Sequence, residues 1–198
     1  MEDIKWIEDL TENSEAEWKR FHAEFGLEIY HRALKITGSH QDAEEVVTDV
    51  EMEICNSIKD FKMDCKLKSW ILGITIRKSL NFIRNRDAAK RTTFENVLKL
   101  KEGQYDDEAV LFIVREDSDD DNPQKIYLRK EFMAAFIFAI TQLPQFQGEA
   151  FALRHVERLS IPEIMILMDK TEPAVKSLIF DGKKAMQVLM LEFKNVSF

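Results

Sequence analysis

Apolar residues recur at helical spacing from about Ser14 to Ile36, at Trp18, Phe21, Phe25, Ile29, Ala33 and Ile36. The spacing predicts one amphipathic helix with a single buried face. Thr37-Gly38 ends it, because glycine adopts the left-handed conformation past a helix C-terminus without a Cβ clash. A second helix is predicted from about Gln41 to Ile58, with Ala43, Val46, Val47, Val50, Ile54 and Ile58 on one side. Its other side is an acidic stripe of Asp42, Glu45, Asp49 and Glu53. A short basic loop, Lys62-Met63-Asp64-Cys65-Lys66, leads to a third helix from about Leu67 to Arg86. Trp70, Ile71, Ile74, Leu80, Phe82 and Ile83 are its apolar residues. These three helices make a first helical domain over 14–91.

The periodicity weakens over 92–122, where Gly103 and the run Ser118-Asp119-Asp120-Asp121 interrupt it. An acid-rich, unpatterned stretch buries too little apolar area to offset its chain entropy, so this segment reads as a linker. Within it Val110-Leu111-Phe112-Ile113-Val114 is apolar and fits a strand, a docked turn or a partner-binding segment. The helical pattern returns after Pro123, with Ile126, Leu128, Phe132, Ala135, Phe136, Ala139 and Ile140, until Leu143-Pro144 breaks it. A helix from about Gln145 to His155 follows. Ser160 then caps another helix, with Pro162 in its first turn and Glu163 completing a capping box. After Asp169-Lys170, Thr171 caps a last helix with Pro173 in its first turn and Val175, Ile179 and Met186 on its apolar side; Leu178 belongs to that side or to its edge. Two capped helices joined by a short polar turn have the form of a helix-turn-helix. Residues 123–198 form the second domain, and the fold class is all-α: two small helical domains joined by an acidic linker.

Composition agrees with this picture. Of 198 residues, 45% are hydrophobic, while Gly (6) and Pro (4) are scarce, which favours long helices over many short strands. No apolar run approaches the roughly 18 residues of a membrane span, and the start Met1-Glu2-Asp3-Ile4-Lys5-Trp6 lacks the features of a secretory signal. Cys55 and Cys65 form no CxxC pattern and read as reduced thiols, so a cytoplasmic protein is expected.

Charge changes the picture more. The net charge is −8, yet the segment from Lys59 to Arg91 carries ten basic residues against three acidic ones, and Glu102 to Asp121 holds nine acids. Such asymmetry points to a nucleic-acid face beside acidic surfaces. Other chemistry finds little support. His22 and His31 lie nine apart on one helix, and no H-x-x-x-H or C-x-x-C spacing occurs, so no metal and no cofactor is expected. No G-x-x-x-x-G-K or G-x-S-x-G motif is present and no acid pair flanks a nucleophile, so no catalytic residue is expected and an enzyme is the least supported class.

Two collinear stretches resemble a known family. The first is Gly38-Ser39-His40-Gln41-Asp42-Ala43-Glu44-Glu45-Val46-Val47-Thr48-Asp49, continued by Phe61, Asp64, Leu67, Ser69 and Trp70. The second is Leu143-Pro144, Gln147, Glu149, Leu153-Arg154-His155-Val156-Glu157 and Leu159-Ser160, then Glu163-Ile164 and Val175-Lys176-Ser177. Together they resemble the extracytoplasmic-function (ECF) sigma factors of bacterial RNA polymerase, over about 21–91 and 123–190. The resemblance implies a first domain that docks on the clamp coiled coil of polymerase core. Asp42, Glu45 and Asp49, at i, i+3 and i+7 on one helix face, are placed to pair with basic residues there; the bland alternative is a solvated acidic face. It further implies that the family's promoter-melting loop and helix hold single-stranded DNA, with Lys62, Lys66, Lys68, Arg77, Lys78 and Arg84 supplying phosphate contacts. Trp70 is either a stacking platform or core, and its spacing favours core. In the recognition helix, Lys176, Ser177, Lys183 and Lys184 are the candidate DNA contacts.

The departures are specific. The family usually places Arg at or near positions held here by Phe146, Gly148, Leu178 and Asp181, and Arg, Arg and Asp at Gly73, Ile76 and Asn81. Charges from Leu159 to Leu191 cancel, and arginine is the residue suited to bidentate guanine readout. Two readings follow: a sigma factor directing promoter recognition, or a degenerate sigma-like module that contacts polymerase or a regulatory partner without reading DNA. The apolar content of Phe132–Phe138 and Leu189–Phe198 fits contacts with an anti-sigma partner or simple packing of the second domain.

Overall fold

The computed structural model describes Ile7, Leu10 and residues 14–88 and 123–196; the predicted linker with its apolar patch lies outside them. Helix α1 (Glu15–Phe21) passes through a π-helical turn (His22–Gly26) into α2 (Leu27–Thr37). The single helix expected there is thus widened by one turn. An added Cβ at Gly26 would lie 3.1 Å from the His22 ring, so the glycine makes room for that ring beside the turn. Gly38 ends α2 at φ 68°, and its N–H returns to the Leu34 carbonyl. Helix α3 (His40–Ser57) starts at Ser39, whose hydroxyl accepts from the Asp42 N–H at 3.4 Å. A 3-10 turn (Ile58–Asp60) leads through the basic loop to α4 (Leu67–Ala88).

The second half is α5 (Pro123–Gln142), α6 (Gln145–His155), α7 (Ile161–Met168) and α8 (Glu172–Val196). The capping box expected at α7 forms: Ser160 accepts from the Glu163 N–H while the Glu163 carboxylate accepts from the Ser160 N–H at 2.9 Å. Asp169 closes α7 in the left-handed conformation at φ 49°, which tightens the turn into α8. No strand occurs among the described residues.

Burial is organised in two cores. The first gathers Phe21, Ile29, Ala33, Val46, Val50 and Ile54 from α1 to α3, with Ile71 and Ile74 of α4. The second gathers Ile137, Ile140, Leu143, Leu153, Ile164, Val175 and Met186 of the C-terminal half, and with them Ile36 of α2 and Ile76, Leu80 and Ile83 of α4. Helix α4 therefore faces both cores. No helix among the described residues is long and apolar enough to cross a membrane.

Candidate polymerase and nucleic-acid surfaces

The acidic stripe of α3 divides in the folded chain. Glu45 and Asp49 are exposed, while Asp42 is partly buried and holds the Arg86 guanidinium at the end of α4. Glu53, one turn beyond Asp49, pairs with Arg77 and with Lys78 at 2.9 Å. The ends of the stripe are thus turned onto α4 and its middle is left to solvent. Between them a cleft of about 440 Å³ is lined by Asp49, Lys78, Asn81, Phe82, Asn85 and Arg86.

The basic loop stands beside an aromatic pair. Lys62 and Lys66 are exposed, and Lys68 reaches Glu28 at 3.0 Å. Phe61 and Trp70 lie with ring centroids 4.9 Å apart. Trp70 packs against the first core but is not fully buried, and it lines a groove of about 600 Å³ together with Phe61 and Lys62. The far wall of that groove is Met165, Ile166, Asp169 and Lys170 of the helix-turn-helix. Trp70 thus both packs on the first core and borders the groove.

Arg77 and Arg84, grouped by sequence with the loop lysines, are placed apart from them. The Arg84 guanidinium donates to the Thr141 carbonyl at 3.3 Å and the Leu143 carbonyl at 3.5 Å, groups left without helical partners at the end of α5. Burial lowers its pKa against the opposing effect of Glu149. Glu149, only 4% exposed, has its carboxyl pushed up by burial although Arg77, Arg84 and Lys170 pull it down. Sequence reasoning did not single out Glu149 as a charge partner, because nothing in a local pattern places it between two arginines about 65 to 72 residues away in the chain.

In the recognition helix, Val175 and Met186 are buried and Ile179 is half-buried, so the expected apolar side is the one that packs. Lys176, Ser177, Lys183 and Lys184 are exposed. Lys176 pairs with Glu172 at 2.5 Å, and Ser177 donates to Asp181 at 3.3 Å. Leu178 is half-buried, at the edge of the apolar side. Phe180 is 68% exposed, beside Asp181. Its place off the 175/179/186 stripe was the available signal for that exposure.

Comparison with known proteins gives this arrangement a context. The model of Sigma-70 region 2 matches residues 22–89, and that of Sigma-70 region 4 matches residues 133–186. The chain is 25% identical over 149 residues to the ECF RNA polymerase sigma-E factor of Haemophilus influenzae, covering 75% of each chain. It is 26% identical over 156 residues to the RNA polymerase sigma-H factor of Pseudomonas aeruginosa, covering 77% of each. Its fold is similar to that of CnrH in the complex with the cytosolic domain of CnrY, with a TM-score of 0.54 and 16% identity over 93% of this chain and 94% of that one.

Proposed function

The chain belongs to the sigma-70 factors of the ECF type, and on that premise we propose which of its surfaces do the family's work. It is a sigma factor that binds RNA polymerase core and directs promoter recognition and transcription initiation. The clamp-facing surface is the middle of α3, Glu45 and Asp49, with Asp42 at its edge. Two exposed carboxylates one turn apart on a helix anchored by Val46 and Val50 offer fixed negative charge to a basic partner, with little further ordering needed on binding. Asp42 already has an intramolecular cation, and it contributes by holding Arg86 away from that face.

Promoter melting is assigned to residues 14–91 and duplex reading to 123–198, with 92–122 as the connection. Lys62 and Lys66 attract the phosphates of a single strand beside the Phe61–Trp70 pair, and Lys68 adds to that field. Arg77, Lys78 and Arg84 join them when the side chains now held by Glu53 and by the end of α5 are released. Lys176, Ser177, Lys183 and Lys184 contact duplex backbone from α8. The role is regulatory and non-catalytic, and its place is the cytoplasm. An anti-sigma partner is part of this reading; CnrH, whose fold is similar, is seen in complex with another protein, the cytosolic domain of CnrY.

The observation that carries the proposal is the exposed Glu45/Asp49 pair within the region 2 match. Glu45→Lys with Asp49→Lys should abolish co-purification with core polymerase while far-UV circular dichroism stays unchanged. Retention of core by that double variant places the clamp contact elsewhere.

A further inference from the structure

We propose that Arg158, in the turn between α6 and α7, is a phosphate contact of the helix-turn-helix with duplex DNA, held out to solvent by a strained backbone. The inference rests on the sigma-factor reading above and adds a residue to its duplex-reading surface.

The backbone supplies the first observation. Among the described residues, Met63, Arg158 and Asp169 have positive φ without being glycine. Met63 lies in the basic loop assigned above to a single strand. Asp169 caps α7, and a short polar side chain suits it to the left-handed conformation. Arg158, at φ 58°, has no such aid. Its Cβ crowds the following carbonyl in this conformation, a cost that glycine avoids. The turn fixes it there from both sides through contacts within the second half of the chain. The Glu157 N–H donates to the Ala152 carbonyl at 3.1 Å, and the Leu159 N–H to the Leu153 carbonyl at 3.0 Å. Leu159 lies in the second core, and its own carbonyl accepts from the Arg154 guanidinium at 2.8 Å. With both neighbours anchored, residue 158 bends the chain and presents its side chain outward.

The second observation is that no intramolecular contact offsets this strain. Arg158 is exposed and makes no hydrogen bond or ion pair among the described residues. The carboxylate beside it, Glu157, is instead buried against Arg32 at 2.6 Å. Strain held without an internal partner points to an external one.

Position and charge identify that partner. In a helix-turn-helix the first helix crosses the duplex backbone while the second enters the major groove. Arg158 stands two residues before Ser160, the cap of that first helix, α7. Cations free for phosphates are few in this half. Lys176 is paired with Glu172 at 2.5 Å, and Lys170 lies over the Phe146 ring at 4.2 Å. Lys183 and Lys184 are exposed on α8. Burial first, then the charges of Lys183 and Arg154, lower the pKa of His155, so Lys183 stands near the end of α6. A cationic edge thus runs from α8 to the turn that carries Arg158. A guanidinium there binds phosphodiester oxygens, which fix register on the duplex without reading its sequence.

The test uses the full-length chain and two labelled duplexes of unrelated mixed sequence, titrated over a range of salt. Capture of core RNA polymerase by the wild-type chain is measured in parallel. Arg158→Gly is expected to raise the chemical denaturation midpoint, because relief of the left-handed strain outweighs glycine's extra chain entropy. The same variant should weaken binding to both duplexes by the same factor and reduce the slope of log affinity against log salt by about one. Arg158→Ala keeps the strained Cβ and loses the charge, so it should bind as Arg158→Gly does without the gain in midpoint. Arg158→Lys should keep the wild-type slope. An unchanged affinity and slope in Arg158→Gly overturn the phosphate contact, as does a loss confined to one sequence, which is base reading. A midpoint no higher in Arg158→Gly than in Arg158→Ala overturns the strained turn. A wild-type chain that binds neither duplex at low salt also overturns the contact. A wild-type chain that binds both duplexes but captures no core overturns the sigma-factor reading, and the slopes then decide the phosphate contact by themselves.

Discussion

The two cores differ in where their residues come from. Phe21, Ile29, Ala33, Val46, Val50 and Ile54 lie within 34 residues of one another and meet across neighbouring helices joined by short turns. The second core brings Ile76, Leu80 and Ile83 against Leu153 and Ile164, across the acidic segment. The first is built by elements that follow one another; the second needs both halves of the chain. What separates them is α4, whose Ile71 and Ile74 serve one core and whose Ile76, Leu80 and Ile83 serve the other. Apolar residues on more than one side of a helix let it pack against more than one neighbour, while Lys68 and Asn85 of α4 stay exposed.

The sharpest way to break this comparison is an equal cut in each core. Ile54→Ala and Ile76→Ala each remove a side chain no more than 1% exposed and should each cost about 2–5 kcal/mol. Amide hydrogen exchange distinguishes them. Ile54→Ala should lower protection in α1 to α4 alone, whereas Ile76→Ala should lower it in α4, α6 and α7 together. Protection lost only in α4 after Ile76→Ala contradicts the shared core.

Acidity sharpens it next. Burial raises the Glu149 carboxyl above its ordinary value of 4.5, so the folded chain keeps this proton where the unfolded chain has released it. The unfolded state then binds fewer protons, and stability falls as pH rises from the ordinary value through the raised one. Glu149→Gln should flatten that fall. The check is the difference in chemical denaturation midpoint between wild type and variant across pH 4–8; the gap should change through this range, and a constant gap contradicts the burial argument.

Smaller effects locate the helix-turn-helix. Ser160→Ala removes one half of the capping box and should cost about 1 kcal/mol, read as a lower denaturation midpoint with unchanged slope. Asp181→Arg replaces an exposed anion on the recognition helix and should shift stability by no more than about 0.5 kcal/mol. It should raise duplex DNA affinity most at low salt, because an added phosphate contact releases counterions. Asp181 is the cleaner site for this than Leu178, which is half-buried and packs at the edge of the apolar side.

Much of this was legible in the sequence where the cause is local. Gly38 stops α2, Leu143-Pro144 separates α5 from α6, and Ser160 with Glu163 starts α7, each through chemistry confined to a few residues. The same locality explains the misses. Periodicity shows that Ile76 is apolar but not what covers it, so its place in one core with Leu153 and Ile164, and the approach of Leu167 to Gly73, could not be foreseen. Asp42, Glu45 and Asp49 share a helix face by spacing alone, yet Arg86, contributed by another helix, decides that Asp42 turns inward. Arg77 and Arg84 read as phosphate contacts because charge is visible in sequence and its internal partners, Glu53 and the end of α5, are not.

Promoter-directed initiation is the central claim, and run-off transcription from a library of genomic fragments tests it most directly. Core polymerase supplied with the full-length chain should produce discrete transcripts with fixed start sites that are absent with core alone. They should disappear with the Glu45→Lys/Asp49→Lys variant. A chain that co-purifies with core and yields no chain-dependent start site would contradict the account.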